Sequence, residues 1–200
     1  MSIPPELWCE IASYMENPFV LRRVAPNPYL ENRLCAITDW DDILRCYQLS
    51  ESFIQRYENS VNWEIISMYQ VLSEDFIRQH ADRVSWSYIS YYQKLSEEFI
   101  REFADRVNWV RISENQILSE EFIREFADRV EWDCISYDQI LSEEFIREFA
   151  DRVNWYNISW QQKLSEDFID EFADRVCWPN IFRRQKMSDK FKNEFIHRNN

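Results

Sequence analysis

Residues 96–118 read SEEFIREFADRVNWVRISENQIL, and nearly the same text returns along most of the chain. Tryptophan marks the recurrence: Trp40, Trp63, Trp86, Trp109, Trp132, Trp155 and Trp178 each stand 23 residues from the next. A fixed period with apolar residues at fixed offsets is the mark of stacked units that cannot bury their apolar faces alone. Counted from serine, the full repeats span 50–72, 73–95, 96–118, 119–141, 142–164 and 165–187.

Each repeat predicts two helices. The opening serine (50, 73, 96, 119, 142, 165) is followed by acidic residues. Serine accepts hydrogen bonds from free amides at a helix start, and acids there face the positive end of the helix dipole. In the third repeat Phe99, Ile100, Phe103, Ala104 and Val107 then keep one face apolar. The pairs Glu97–Arg101 and Glu102–Arg106 add i,i+4 attraction. This first helix is expected to span about 97–106.

The second helix carries Trp109, Ile112, Ser113 and Gln116 on one face. Asp105 and Asn108 are both candidate caps, and the last repeat chooses between them. There Pro179 follows Trp178. Capping near residue 177 keeps that proline in the first turn, whereas capping at Asp174 would put it in the helix interior at a cost of about 3 kcal/mol. The second helices are therefore expected over about 109–116 and its equivalents. Helices this short are not stable in water by themselves, so stacking must hold them. The expected architecture is all-α, an α-solenoid of short helix pairs over residues 39–200, closed by a capping half-repeat from Ser188. A small helical head occupies 1–38, which hold Pro4, Pro5, Pro18, Pro26 and Pro28 and no repeat.

Composition narrows the function. A formal charge of −13 and a pI near 4.7 oppose binding to nucleic acid or anionic lipid, both of which need a basic surface. No apolar run approaches the roughly 20 residues that span a bilayer. Cysteines 9, 35, 46, 134 and 177 form no CxxC pair, their count is odd, and no secretory signal opens the chain. These features point to a reducing, cytoplasmic compartment. The absence of glycine excludes phosphate-cradling loops, so no nucleotide cofactor is expected.

At the N-terminus, Ile3-Pro4-Pro5-Glu6-Leu7-Trp8 followed by Ile11 and Tyr14-Met15 resembles the opening of an F-box, with Ile3 and Met15 standing where leucine is usual. The resemblance covers residues 3–15. It implies docking to a Skp1-type adaptor of a cullin ubiquitin ligase through Pro4, Pro5, Leu7 and Ile11. Read without the resemblance, the same residues form an amphipathic capping helix over the first repeat. The repeats also resemble short tandem helical repeats of large DNA virus proteins, a resemblance that implies an infected host cell as the setting.

Differences among repeats separate structural from free positions. Counted from each tryptophan, offset three is isoleucine (43, 66, 89, 112, 135, 158, 181), offset four serine (67, 90, 113, 136, 159) and offset seven glutamine (70, 93, 116, 139, 162, 185). These form one face, read as packing between repeats, with serine permitting close approach and glutamine bonding between neighbours. Offsets one, two, five and six vary and are rich in aromatics. The candidate partner-binding residues are Met68, Tyr69, Tyr88, Tyr91, Tyr92, Arg111, Tyr137, Tyr156 and Trp160. Such side chains suit a protein interface because they bury large area at low entropic cost. Drift on a solvent face or packing against a sister copy would produce the same variability.

The Asp-Arg pairs at 82–83, 105–106, 128–129, 151–152 and 174–175 are read as ion pairs between stacked repeats. His80 stands at the offset of Tyr57, Phe103, Phe126, Phe149 and Phe172, a substituted core aromatic. With His197 as the only other histidine, neither a metal-ligand cluster nor a Cys-His nucleophile pair is visible. A non-enzymatic, protein-binding repeat array is the expected function. In its specific form it is an F-box-type receptor for a ubiquitination target. The alternative is a structural or self-associating scaffold whose head is only a cap.

Overall fold

The structure, a computed structural model, describes residues 40–198. The head and its candidates Pro4, Pro5, Leu7 and Ile11 lie outside the described residues. Two helix types alternate. The tryptophan-led helices are α1 (Trp40–Cys46), α3 (Trp63–Tyr69), α5 (Trp86–Tyr92), α7 (Trp109–Asn115), α9 (Trp132–Asp138), α11 (Trp155–Gln161) and α13 (Trp178–Arg184). The serine-capped helices are α2 (Glu51–Arg56), α4 (Glu74–Gln79), α6 (Glu97–Glu102), α8 (Glu120–Glu125), α10 (Glu143–Glu148), α12 (Glu166–Glu171) and α14 (Asp189–Arg198). No strand occurs among the described residues. The fold is an α-solenoid of short helix pairs. The chain divides between Asn108 and Trp109 into two compact units.

The serine-capped helices start where expected. Ser73, Ser96, Ser119, Ser142 and Ser165 each accept the amide of the phenylalanine three residues on, at 3.1–3.2 Å. They end earlier than expected, at Glu102 rather than about 106 in the third repeat. Phe103 leaves helical geometry at φ −112° and ψ 29°, and the Arg106 amide bonds back to the Phe103 carbonyl at 2.8 Å, a tight turn. The tryptophan of the same repeat braces this turn: its indole donates to the carbonyl of the alanine within it. Trp86 donates to Ala81 at 3.0 Å, Trp132 to Ala127 at 3.0 Å and Trp155 to Ala150 at 2.9 Å. With the helix ended, Glu102 and Arg106 do not form the expected pair along it. Glu102 instead receives Arg78 at 2.7 Å and Arg106 reaches Asp82 at 2.8 Å, both across repeats.

The tryptophan-led helices begin as Pro179 required. Cys177 caps α13 and the proline falls in its first turn. These helices pack on one another in order: α3 on α1 and α5, then α9 on α7 and α11, and α11 on α13. Ile66, Ile89, Ile112, Ile135, Ile158 and Ile181 are fully buried along this row. From Trp40 to Trp155, each tryptophan ring sits against two rings of the next serine-capped segment. Trp86 lies 4.8 Å from Phe103 and 6.2 Å from Phe99, and Trp132 lies 4.8 Å from Phe149 and 6.3 Å from Phe145. An arginine covers the ring from outside, Arg106 over Trp86 at 5.3 Å and Arg152 over Trp132 at 5.2 Å. His80 is buried in this ring cluster, 4.7 Å from Trp63 and 4.4 Å from Phe76, as its offset predicts.

Helices of seven residues leave most of their terminal amides and carbonyls without intrahelical partners. The recurring serine and glutamine supply them from the adjacent repeat. In the second unit Gln139 donates to the Gln116 carbonyl at 2.8 Å and the Ser113 carbonyl at 3.3 Å, while its Oε1 accepts the Leu118 amide at 3.1 Å. Gln162 repeats the set on Gln139, Ser136 and Leu141, and Gln93 does so in the first unit on Gln70, Ser67 and Leu72. Ser136 donates to the Trp132 carbonyl at 2.6 Å and accepts the Asn154 amide, the start of the next helix, at 2.9 Å. The glutamine row is the inter-repeat bond that its position and chemistry predict. The serine proves to be one as well, beyond being small.

Two further ties link repeats. First-turn glutamates accept the opening serine amide of the next repeat: Glu74 from Ser96, Glu120 from Ser142 and Glu143 from Ser165, each at 2.6 Å. The Asp-Arg row pairs across repeats as expected, with Arg152 to Asp128 at 2.7 Å and Arg175 to Asp151 at 2.6 Å. At the C-terminal end Ser188 caps α14 onto Phe191 at 3.2 Å. Phe182 takes the serine position of α13, lies 5.7 Å from the Trp178 ring, and is 45% exposed.

Candidate recognition surface

The outer residues of the tryptophan-led helices do not form one uniformly free face. Offset two turns out to be half structural, because its side chain reaches back to the preceding repeat. Asn157 donates to the Asp133 carbonyl at 3.1 Å and Asn180 to the Tyr156 carbonyl at 3.2 Å. Ile65 and Asn180 at this offset are buried. Offset six also meets the previous helix: Arg184 donates to the Trp160 carbonyl at 3.2 Å and lies over its ring at 4.7 Å. The freer stripe is made by offset one, exposed from Glu64 to Pro179, and by offset eight in the connector beyond the helix, with offset five exposed only at Tyr137 and Arg183.

In the first unit the candidates cluster. On α5, Tyr91 meets Tyr92 edge-on at 4.5 Å, and Tyr88 lies 6.2 Å from Tyr92, so these rings hold one another half-buried. Met68 and Tyr69 on α3 are likewise half-buried. In the second unit Tyr137 is 46% and Tyr156 60% exposed. Trp160 is half-buried beneath Arg184. Arg111 forms an i,i+3 pair with Glu114 at 2.8 Å.

Two residues outside the expected set are the most exposed of the large apolar side chains. Ile117 is 96% and Ile140 95% exposed, each two residues beyond the end of a tryptophan-led helix and one residue before the buried Leu118 and Leu141. The signal lay at offset eight, where Val71, Ile117 and Ile140 alternate with Lys94, Lys163 and Lys186. A position that takes lysine as readily as isoleucine is one the stack does not use.

The electrostatics of this region are acidic. Burial, reinforced by Glu114, pushes the Asp138 carboxyl up, and burial together with Glu114 and Asp138 raises the Cys134 thiol, which disfavours the reactive thiolate. Asp133 accepts the Asn154 side chain at 2.7 Å. No group of three or more His, Cys, Asp or Glu able to hold a metal ion occurs among the described residues, and none of their helices is long and apolar enough to cross a membrane. Comparison with protein families, curated proteins and solved structures finds no match.

Proposed function

We propose that this chain is a non-enzymatic protein-recognition array whose partner lies along the outer stripe of the tryptophan-led helices. The observation that carries this reading is a division of labour within one helix. Offsets three, four and seven are buried and the serine and glutamine among them bond between repeats, while the side chains of Tyr137, Tyr156, Ile117 and Ile140 stand exposed. Repeat arrays present such rows as extended binding surfaces. Aromatic side chains already ordered on short rigid helices lose little freedom when a partner covers them. In the specific form, the head at 1–38 docks a cullin-ligase adaptor through Pro4, Pro5, Leu7 and Ile11, and the array holds the target. That part rests on the F-box resemblance of residues 3–15.

One affinity-capture experiment with three baits tests both parts. The intact chain, a Tyr137→Ala, Tyr156→Ala variant and a Leu7→Asp, Ile11→Asp variant are each exposed to host-cell extract. The stripe variant is expected to lose the target while keeping the adaptor, and the head variant the reverse. Identical captures by the intact chain and the stripe variant would falsify the recognition surface. A folded intact chain that draws down no adaptor rules out the ligase role.

A further inference from the structure

The exposed isoleucines sit in an acidic setting, and the two features together specify a partner. Ile117 and Ile140 follow consecutive helices, α7 and α9, in one compact unit. Val110 and Tyr137 on the same helices are also exposed. Around them, the outer positions of α7 and α9 and the residue before α9 carry four carboxylates, Glu114, Glu131, Asp133 and Asp138, against one guanidinium, Arg111. That guanidinium is already engaged with Glu114 at 2.8 Å. Lysine at the same offset in three other repeats shows that the fold does not require an apolar residue there. The apolar surface is thus held out to water on a negative field.

Resting on the recognition reading above, we infer that the face made by Val110, Ile117, Tyr137 and Ile140 with Glu114 and Asp138 docks a partner-protein segment in which lysine or arginine alternates with apolar residues. Charge complementarity selects this occupant: a basic segment is attracted and oriented, whereas a second copy of a chain of net charge −13 brings like charge to the same face. Nucleic acid and anionic lipid are repelled for the same reason. Neighbouring stacked helices lie about 8–10 Å apart, which is about three residues of extended chain at roughly 3.3 Å each. The partner's apolar residues are therefore expected at intervals of about three, with the basic residues between them facing Glu114 and Asp138.

The test is selection of a random displayed-peptide library against the full chain. An Ile117→Ser, Ile140→Ser variant and a Glu114→Gln, Asp138→Asn variant are run in parallel. Because the isoleucines are almost wholly solvated, their replacement should leave the melting temperature unchanged, which a thermal scan verifies. Enriched peptides are expected to carry two or more basic residues with apolar residues between them. Their affinity should fall at least about ten-fold on either variant, most of it in the dissociation rate for the serine variant. Peptides that lose affinity on the serine variant yet lack basic residues overturn the basic-partner inference and leave the recognition surface standing. An absence of enrichment, or equal binding to all three proteins, overturns the docking site itself.

Discussion

His80 shows how one substitution in a repeated pocket acquires a pH dependence. It fills the place of Phe103 and its equivalents, but its Nε2 is buried with no hydrogen-bond partner, and its Nδ1 lies 3.9 Å from Glu58. Burial lowers its pKa below the ordinary imidazole value of 6.5, outweighing the upward pull of the Glu58 carboxylate. The folded protein thus binds fewer protons here than the unfolded chain. His80 leaves stability intact above 6.5 and subtracts from it as pH falls through that value toward its folded pKa. His80→Phe is expected to stabilise by about 1 kcal/mol near neutrality, since it removes a buried unsatisfied group, and by more at about pH 5. Urea unfolding of both proteins at the two pH values measures this. An equal gain at both would mean that the imidazole titrates normally in the fold.

At the scale of the element, the seven-residue helices depend on side chains outside themselves. Gln139 closes the end of α7 by satisfying the carbonyl of Ser113 within it, that of Gln116 just beyond it, and the Leu118 amide. Gln139→Met keeps the shape but leaves these groups buried and unpaired, so a loss of about 2–4 kcal/mol is expected. Chemical denaturation with hydrogen exchange at Leu118 checks it. A loss of a few tenths would show that the glutamine row serves only as filler. The repeat text made this row visible as invariant, and its bonding capacity suggested the inter-repeat role. The length of the serine-capped helices was not visible. The apolar spacing from Phe99 to Val107 fits a continuous helix, and only the tertiary structure shows the turn at Phe103 that ends it sooner.

Within each compact unit, neighbouring repeats bond through recurring glutamine, serine, glutamate and arginine ties, so stability should be close to a sum of repeats and interfaces. Removal of residues 142–164 deletes one repeat and rejoins identical partners: Ser165 replaces Ser142 at the junction and Gln162 is lost with its repeat. The shortened chain is expected to fold with unchanged helicity per residue. Its stability should be lower by about 1–3 kcal/mol, the worth of 23 residues at ordinary stability per residue. Circular dichroism and thermal unfolding measure both. Collapse to an unfolded chain would show that the repeats are not interchangeable. The candidate surface is legible in part at this scale: variable aromatics such as Tyr137 and Tyr156 announce it, but variability at offset two suggests freedom where Asn157 and Asn180 tie repeats together.

The period of the tryptophans, the serine caps, the first-turn position of Pro179 and the buried Ile-Ser-Gln face were all determined by the sequence alone. Each is a local relation within one repeat, expressed through backbone hydrogen bonds and helical spacing. Where the first helix stops, which amide each glutamate accepts, that the serine of one helix caps the next, and that Ile117 and Ile140 stand in water were decided only by the tertiary structure. The reason is physical: helices this short have no internal partners for most of their polar groups. Which groups are paired and which side chains remain exposed is settled only when one repeat lies against another.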